Sequence, residues 1–220
     1  GFIYENNIIT GVTATEKIKN QELNIKAKCV INAAGPWVDE VRLADQSIKG
    51  KSLRLSKGVH LVINTDKLKL KHSVYFEAKD KRMIFAIPRE GKIYFGTTDT
   101  VYSDSIDKPK TTKQDASYLI NCMNNAFHGI HLDLSDITSS WVGLRPLIQD
   151  SNKASKDISR KDEIFISKTG LISIAGGKLT AYRSMAERVV NVAIKRMNFN
   201  NKKCNTKHIK LFKQKDYLNT

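Results

Sequence analysis

The sequence predicts a mixed α/β fold, with α/β character at both ends and a β-rich antiparallel middle. Three observations predict it. Short alternating apolar runs, broken by turn residues, fill the middle of the chain. Near the start, the apolar run Cys29–Ala34 breaks at Gly35-Pro36 and passes into a helical period. Near the end, a hairpin pattern stops at Gly176-Gly177 and gives way to the strongest helical period in the chain.

The elements follow in order. Phe2–Tyr4, Ile8–Thr13 and Leu23–Ala27 read as a small antiparallel meander, with Asn6-Asn7 as its first turn. The run from Cys29 suits a buried strand, and Pro36 suits the first turn of the helix that continues through Val38, Val41 and Leu43. Leu53–Leu55, Val59–Ile63, Ser73–Phe76, Met83–Pro88 and Lys92–Thr97 read as strands, with Gly91 in the last turn. A helix is predicted from about Lys113 to Phe127, with Tyr118, Leu119, Cys122, Met123 and Ala126 on one face. A strand follows over Ile137–Leu144, then a polar loop over Ser151–Lys161. Ile164–Ile166 and Leu171–Ala175 form the closing hairpin. The final helix places Leu179, Tyr182, Met185, Ala186, Val189, Val190, Ala193, Ile194 and Met197 on one side.

Composition sets the outer bounds. A chain of 220 residues, 40% hydrophobic and 27% charged, can bury a core as one large domain or two small ones. Four Pro and 12 Gly exclude collagen-like chains, and no apolar run approaches the ~18 residues of a membrane span. The chain opens on Gly1 with no leader pattern, so it is expected to begin inside a longer protein. The net charge of +15 raises nucleic acid or an anionic membrane as partners. Yet eight of those charges sit between residues 195 and 215, mostly as Lys without interleaved aromatics. A solvated surface with a basic tail is the favoured reading, and no nucleic-acid partner is expected. Cys29, Cys122 and Cys204 are odd in number and far apart, so neither a disulfide framework nor a metal site is expected. His128 and His131 have ligand-like spacing without a completing Cys or carboxylate.

Three segments carry a glycine beside polar or charged residues at a strand end: Ala33-Ala34-Gly35-Pro36-Trp37, Gly143-Leu144-Arg145-Pro146-Leu147 and Gly176-Gly177-Lys178-Leu179-Thr180. The third opens a helix, whose free N–H groups suit an anion or a polarised carbonyl. It is not a phosphate-binding P-loop, because Ile172 and Leu179 stand where that pattern needs Gly and a hydroxyl residue. No GxGxxG occurs anywhere.

With Lys57-Gly58-Val59-His60 and Gly96-Thr97-Thr98-Asp99-Thr100 between them, these segments form an ordered set of five motifs over roughly residues 1–200. The set resembles the FAD-dependent (aerobic) glycerol-3-phosphate dehydrogenase family, in its Gram-positive form. The resemblance implies part of a FAD-binding Rossmann-like domain and a β-rich antiparallel substrate domain. Residues 1–45 and 150–200 would be parts of the FAD domain, 46–149 the substrate domain, and 201–220 a basic linker toward a further C-terminal domain. It implies FAD as cofactor, glycerol 3-phosphate as substrate, dihydroxyacetone phosphate as product, and quinone or oxygen as electron acceptor. A cytoplasmic location follows, with a peripheral place at the inner face of the membrane and a homodimer left open. Because the family's pyrophosphate-binding GxGxxG is absent, the 220-residue piece alone is expected to be colourless and inactive.

The resemblance also assigns residues. His60 would take the proton of the C2 hydroxyl, a task suited to imidazole. Arg145, Lys178 and Arg183 would hold the substrate, Arg145 through a guanidinium fork on phosphate at a strand end before Pro146. Ala34, Gly35, Pro36 and Trp37, with Gly176, Gly177, Lys178, Leu179 and Thr180, would face the cofactor. Two rivals remain at this level. In a related amine or amino-acid oxidase, Arg145 would bind a carboxylate. In a basic nucleic-acid or anionic-membrane module, the tail would carry a salt-dependent affinity.

Overall fold

A computed structural model describes residues 1–150, 159, 161–200 and 203–209. The strands and helices begin with β1 (Phe2–Glu5), β2 (Ile8–Glu16), β3 (Gln21–Lys26), β4 (Ile31–Asn32) and α1 (Val38–Ala44). The middle holds β5 (Lys51–Asn64), β6 (Val74–Glu77), β7 (Met83–Arg89), β8 (Lys92–Gly96), β9 (Thr100–Val101), α2 (Lys113–Ala126) and β10 (Ser139–Asp150). β11 (Glu163–Ile166), β12 (Ile172–Ala175) and α3 (Tyr182–Arg196) follow. The chain divides into two compact units, Gly1–Leu53 with Ile148–Thr220, and Arg54–Leu147.

In the first unit, β1, β2 and β3 form the antiparallel meander. Asn6 and Asn7 both take positive φ between the paired Glu5 and Ile8, as a two-residue hairpin turn requires. A second sheet has the order β11-β12-β4. β11 and β12 are an antiparallel hairpin, whereas β12 runs parallel to β4, Ile172 beside Ile31 and Ser173 beside Asn32. Val189 and Ala193 of α3 pack on Ile172 and Ile174. Val38, Ile148 and Ala175 form a further cluster with Leu53 and Phe165.

The second unit is one antiparallel sheet, β10-β5-β8-β7-β6, with β9 also paired to β5. Alternation decides its faces. Val59, Leu61, Ile63, Ile84, Ala86, Ile93 and Phe95 point to one side and pack against Ala116, Leu119, Ile120 and Met123 of α2. A capping box between Thr112 and Asp115 starts α2.

Several expectations change. The two strands expected at Leu53–Leu55 and Val59–Ile63 are one strand, β5, because polar Ser56 and Lys57 are buried with partners rather than turned into a loop. Arg145 is not at a strand end: β10 continues to Asp150, and Pro146 is accommodated because β10 lies at the sheet edge. The strand expected from Cys29 shortens to Ile31–Asn32. Leu179 begins a 3-10 turn, Leu179–Ala181, and the α-helix starts only at Tyr182. The apolar face expected of that helix splits: Val189 and Ala193 are buried, whereas Leu179, Tyr182 and Val190 are exposed. The loop expected at Ser151–Lys161 lies outside the described residues except for Ser159, which bridges to Ile148, and Lys161. Of the basic tail, only residues 203–209 are described, with a 3-10 turn at Thr206–His208.

Gly176 has φ +74°, and a Cβ there would lie 2.5 Å from the carbonyl oxygen of Lys161. Gly176→Ala is therefore expected to destabilise the full-length protein by about 1–3 kcal/mol, read by chemical denaturation.

Candidate active site

The face of the large sheet opposite α2 collects the polar and aromatic residues. Residues two apart on a strand share a face, so Ser56, Gly58 and His60 of β5 join Tyr94 and Gly96 of β8, Phe85 of β7, and Trp141, Gly143 and Arg145 of β10. Two glycines make room for two large side chains. A Cβ on Gly58 would stand 2.5 Å from Nη2 of Arg145. A Cβ on Gly96, the cross-strand partner of His60, would stand 2.7 Å from that ring's Cδ2.

The turn after β8 holds the Arg145 guanidinium. Nη1 donates to the Thr98 carbonyl at 3.2 Å, and Nη2 donates to Thr97 Oγ1 at 2.9 Å. Asp99 Oδ1 lies 3.7 Å from Nη1 and accepts from the Ser56 hydroxyl. Thr98 is itself anchored: its buried hydroxyl accepts from the Val59 N–H at 3.0 Å and donates to the Lys57 carbonyl at 3.2 Å. The fork is thus fixed by the Thr97-Thr98 turn, which the backbone of β5 anchors in turn.

His60 stacks on Trp141, with centroids 5.1 Å apart and planes 17° apart, and meets Phe85 at 5.3 Å. Its Nδ1 is buried without a hydrogen-bond partner. Burial, and secondarily the positive charge of Arg145, hold the imidazole pKa below its ordinary value. The ring is therefore neutral near pH 7 and competent as a base.

On the opposite face, Lys57 and Asp115 form a buried ion pair at 2.6 Å, with the two side chains 10% and 6% exposed. Burial alone would raise the Asp115 pKa; the Lys57 ammonium and the Thr112 hydroxyl and N–H bring it below the ordinary carboxylate value.

In the other unit, β4 and β12 are parallel neighbours, and a glycine turn leaves the C-terminal end of each. Buried Asn32 organises the first turn. Its Nδ2 donates to the Val38 carbonyl at 2.9 Å and to Ser173 Oγ at 3.2 Å, and its Oδ1 accepts from Ala34 N–H at 3.2 Å. Gly35 has φ +57° with open space where a Cβ would lie, followed by Pro36 and the exposed Trp37 in a 3-10 turn. After β12, Gly176 and Gly177 take positive φ, and extended Lys178 leads into the exposed Leu179 and Thr180. Lys178 is exposed, and its ammonium has no hydrogen-bond or ion-pair partner among the described residues. Arg183 is engaged, donating to Glu187 at 2.7 Å and to Thr206 Oγ1 at 3.2 Å. No group of three metal-ligating side chains occurs among the described residues.

Comparison with known proteins places this arrangement. Residues 1–183 match the family described as FAD dependent oxidoreductase. The chain belongs to that family. Among FAD dependent oxidoreductases, it is 51% identical over 198 residues to the aerobic glycerol-3-phosphate dehydrogenase of Staphylococcus aureus strain MRSA252, covering 89% of this chain and 36% of the relative. The protein of strain USA300 matches to the same extent. The solved glycerol-3-phosphate dehydrogenase of Bacillus halodurans, complexed with FAD, superposes with a TM-score of 0.82 at 48% identity, over 91% of this chain and 38% of that one. The glycine oxidase of Bacillus cereus superposes at 0.56 with 18% identity, over 86% and 48%, which shows the shared fold. The chain spans about a third of the length of the curated relatives it matches. The family resemblance carried by the five motifs stands, as does the mixed α/β fold.

Sequence reasoning missed three residues: Trp141 beside His60, Asn32 under the first glycine turn, and Asp115 on the opposite face of the large sheet. Trp141 stands two and four residues before Gly143 and Arg145, and strand alternation alone puts all three on one face. Asn32 sits inside the apolar run Cys29–Ala34, but its role depends on Ser173, which lies 141 residues away. The partner of Lys57 lies on α2, and no local pattern announces that pairing.

Proposed function

We propose that this chain is the central part of a FAD-dependent dehydrogenase that oxidises sn-glycerol 3-phosphate to dihydroxyacetone phosphate. The observation that carries the reading is the pairing, on one open sheet face, of a neutral, half-buried His60 with an Arg145 fork held by the Thr97-Thr98 turn. The 51% identity to aerobic glycerol-3-phosphate dehydrogenase supports the choice of substrate.

The residues present fit a flavin. Ligands of open α/β sheets lie at the carboxyl ends of parallel strands, where Ala34, Gly35, Pro36 and Trp37 follow β4 and Gly176, Gly177, Lys178, Leu179 and Thr180 follow β12. These residues would hold FAD, which when bound supplies the acceptor for the hydride that leaves C2. In this reading residues 1–45 and 150–200 belong to the FAD domain, 46–149 to the substrate domain, and 201–220 lead toward the C-terminal domain.

His60 takes the proton of the C2 hydroxyl as the C2–H electron pair departs, and the C2–O bond becomes a carbonyl. Arg145 holds the phosphate dianion and orients C2. Lys178 offers an unengaged ammonium to an anionic group. Arg183 ranks behind it as a substrate ligand, since Glu187 and Thr206 already occupy its guanidinium. Electrons then pass to quinone or oxygen, from a cytoplasmic enzyme at the inner face of the membrane. No described helix is long and apolar enough to cross a membrane; vesicle co-sedimentation tests peripheral docking, and sedimentation velocity tests the homodimer.

Arg145→Ala in the full-length protein is expected to lower kcat/KM for glycerol 3-phosphate by roughly ten- to a hundredfold, the loss of a hydrogen-bonded charge contact of about 1.5–3 kcal/mol. Flavin content should be retained, Lys should rescue only in part, and turnover of glycerol should change much less. An unchanged kcat/KM with glycerol 3-phosphate would remove Arg145 from the substrate site.

A further inference from the structure

We infer that Trp141 is a positioning residue for His60: its indole face fixes the imidazole plane and stabilises the imidazolium formed when Nε2 takes a proton. The inference rests on the base role proposed above for His60.

The two rings are nearly parallel, 17° apart with centroids 5.1 Å apart, within the reach of a cation over an aromatic face. Nδ1 is shut in without a partner, so Nε2 is the ring nitrogen open to a substrate. No carboxylate hydrogen-bonds to His60 in the manner of a hydrolase triad among the described residues. Ring orientation therefore falls to packing, against Trp141 of β10 on one side and Phe85 of β7 on another. Tyr94 of β8 braces the indole in turn, with centroids 5.5 Å apart.

The charges around the ring explain why such a face is needed. Arg145 on β10 repels an imidazolium, and Asp99, in the turn between β8 and β9, lies against Arg145. On the same face β8 carries Tyr94 and Lys92, which donates to Asn64; β7 carries Arg89, which pairs with Glu90; and β5 carries Arg54, six residues before His60, whereas Lys57 of β5 is paired with Asp115 on the opposite face. A proton accepted at His60 thus meets a cation, with burial against it. The electron-rich face of Trp141 is the favourable partner in contact with the ring.

The test uses the full-length holoenzyme and two readouts, the pH profile of anaerobic flavin reduction by glycerol 3-phosphate and the NMR titration of His60. Trp141→Leu keeps an apolar cover but removes the π face. It should lower the His60 pKa by about half a pH unit and the limiting reduction rate by about tenfold. Apparent substrate affinity and flavin content should stay within twofold. Trp141→Phe should recover part of both effects, and site-specific fluorinated tryptophan, which keeps the shape, should lower the pKa stepwise with fluorine number. A pKa that is unchanged or rises in the leucine variant, or that ignores fluorination, overturns the inference. If glycerol 3-phosphate fails to reduce the wild-type flavin, the proposed function falls, while the NMR titration still decides the role of Trp141.

Discussion

His60→Gln in the full-length protein is expected to lower kcat for glycerol 3-phosphate by about 10²–10⁴-fold, the range for losing a positioned general base. Glutamine keeps a polar planar group beside Trp141 and Phe85 but cannot accept the proton at neutral pH. Flavin content and apparent substrate affinity should hold, because the Arg145 fork is fixed by Thr97 and Thr98 and not by His60. The wild-type profile should fall as pH drops through the His60 pKa, below the ordinary value of about 6.5. In the glutamine variant that acid limb should vanish. A variant within threefold of wild type in kcat would leave His60 as a packed aromatic-cluster residue.

Breaking the Lys57–Asp115 pair is the second large effect. Asp115→Ala leaves an ammonium 10% exposed with no counter-charge and also removes the acceptor for the Thr112 N–H at the start of α2. The expected loss is about 3–5 kcal/mol of stability, measured by urea denaturation of the full-length protein. The double variant Lys57→Met with Asp115→Leu should regain much of it, since an apolar pair has no desolvation cost to offset. The pH dependence has a definite sign. The folded-state pKa of Asp115 is depressed, so its contribution is complete above the unfolded value of about 3.9. The contribution is lost as pH falls through the folded-state value. Wild type should therefore lose stability more steeply in that acid window than the double variant does.

The local patterns that were legible in the sequence are those with a short-range cause. The Asn6-Asn7 hairpin, the start of α2 near Lys113 and the double-glycine stop after β12 each depend on neighbours a few residues apart. A glycine at a strand end is by itself more often a turn, so the motifs around His60, Arg145 and Lys178 were visible through their joint order along the chain and the family resemblance it carries. What stayed hidden depends on distant partners. Ser56-Lys57-Gly58 looks like a break in β5, yet Asp99, Asp115 and Arg145 satisfy or occupy each position. Arg145-Pro146 looks like a strand end, yet an edge strand tolerates the missing N–H. The sequence put Leu179, Tyr182 and Val190 on the same side of the final helix as Val189 and Ala193, because a period of 3.6 reports an apolar stripe and not what covers it.

Anaerobic mixing of the full-length oxidised flavoprotein with glycerol 3-phosphate, followed by flavin absorbance, tests the central claim most directly. Saturable bleaching by glycerol 3-phosphate, with glycerol far slower and glycine inert, is the predicted result. Bleaching by glycine or another small amino acid, with glycerol 3-phosphate inert, would contradict the account and assign the Arg145 fork to a carboxylate.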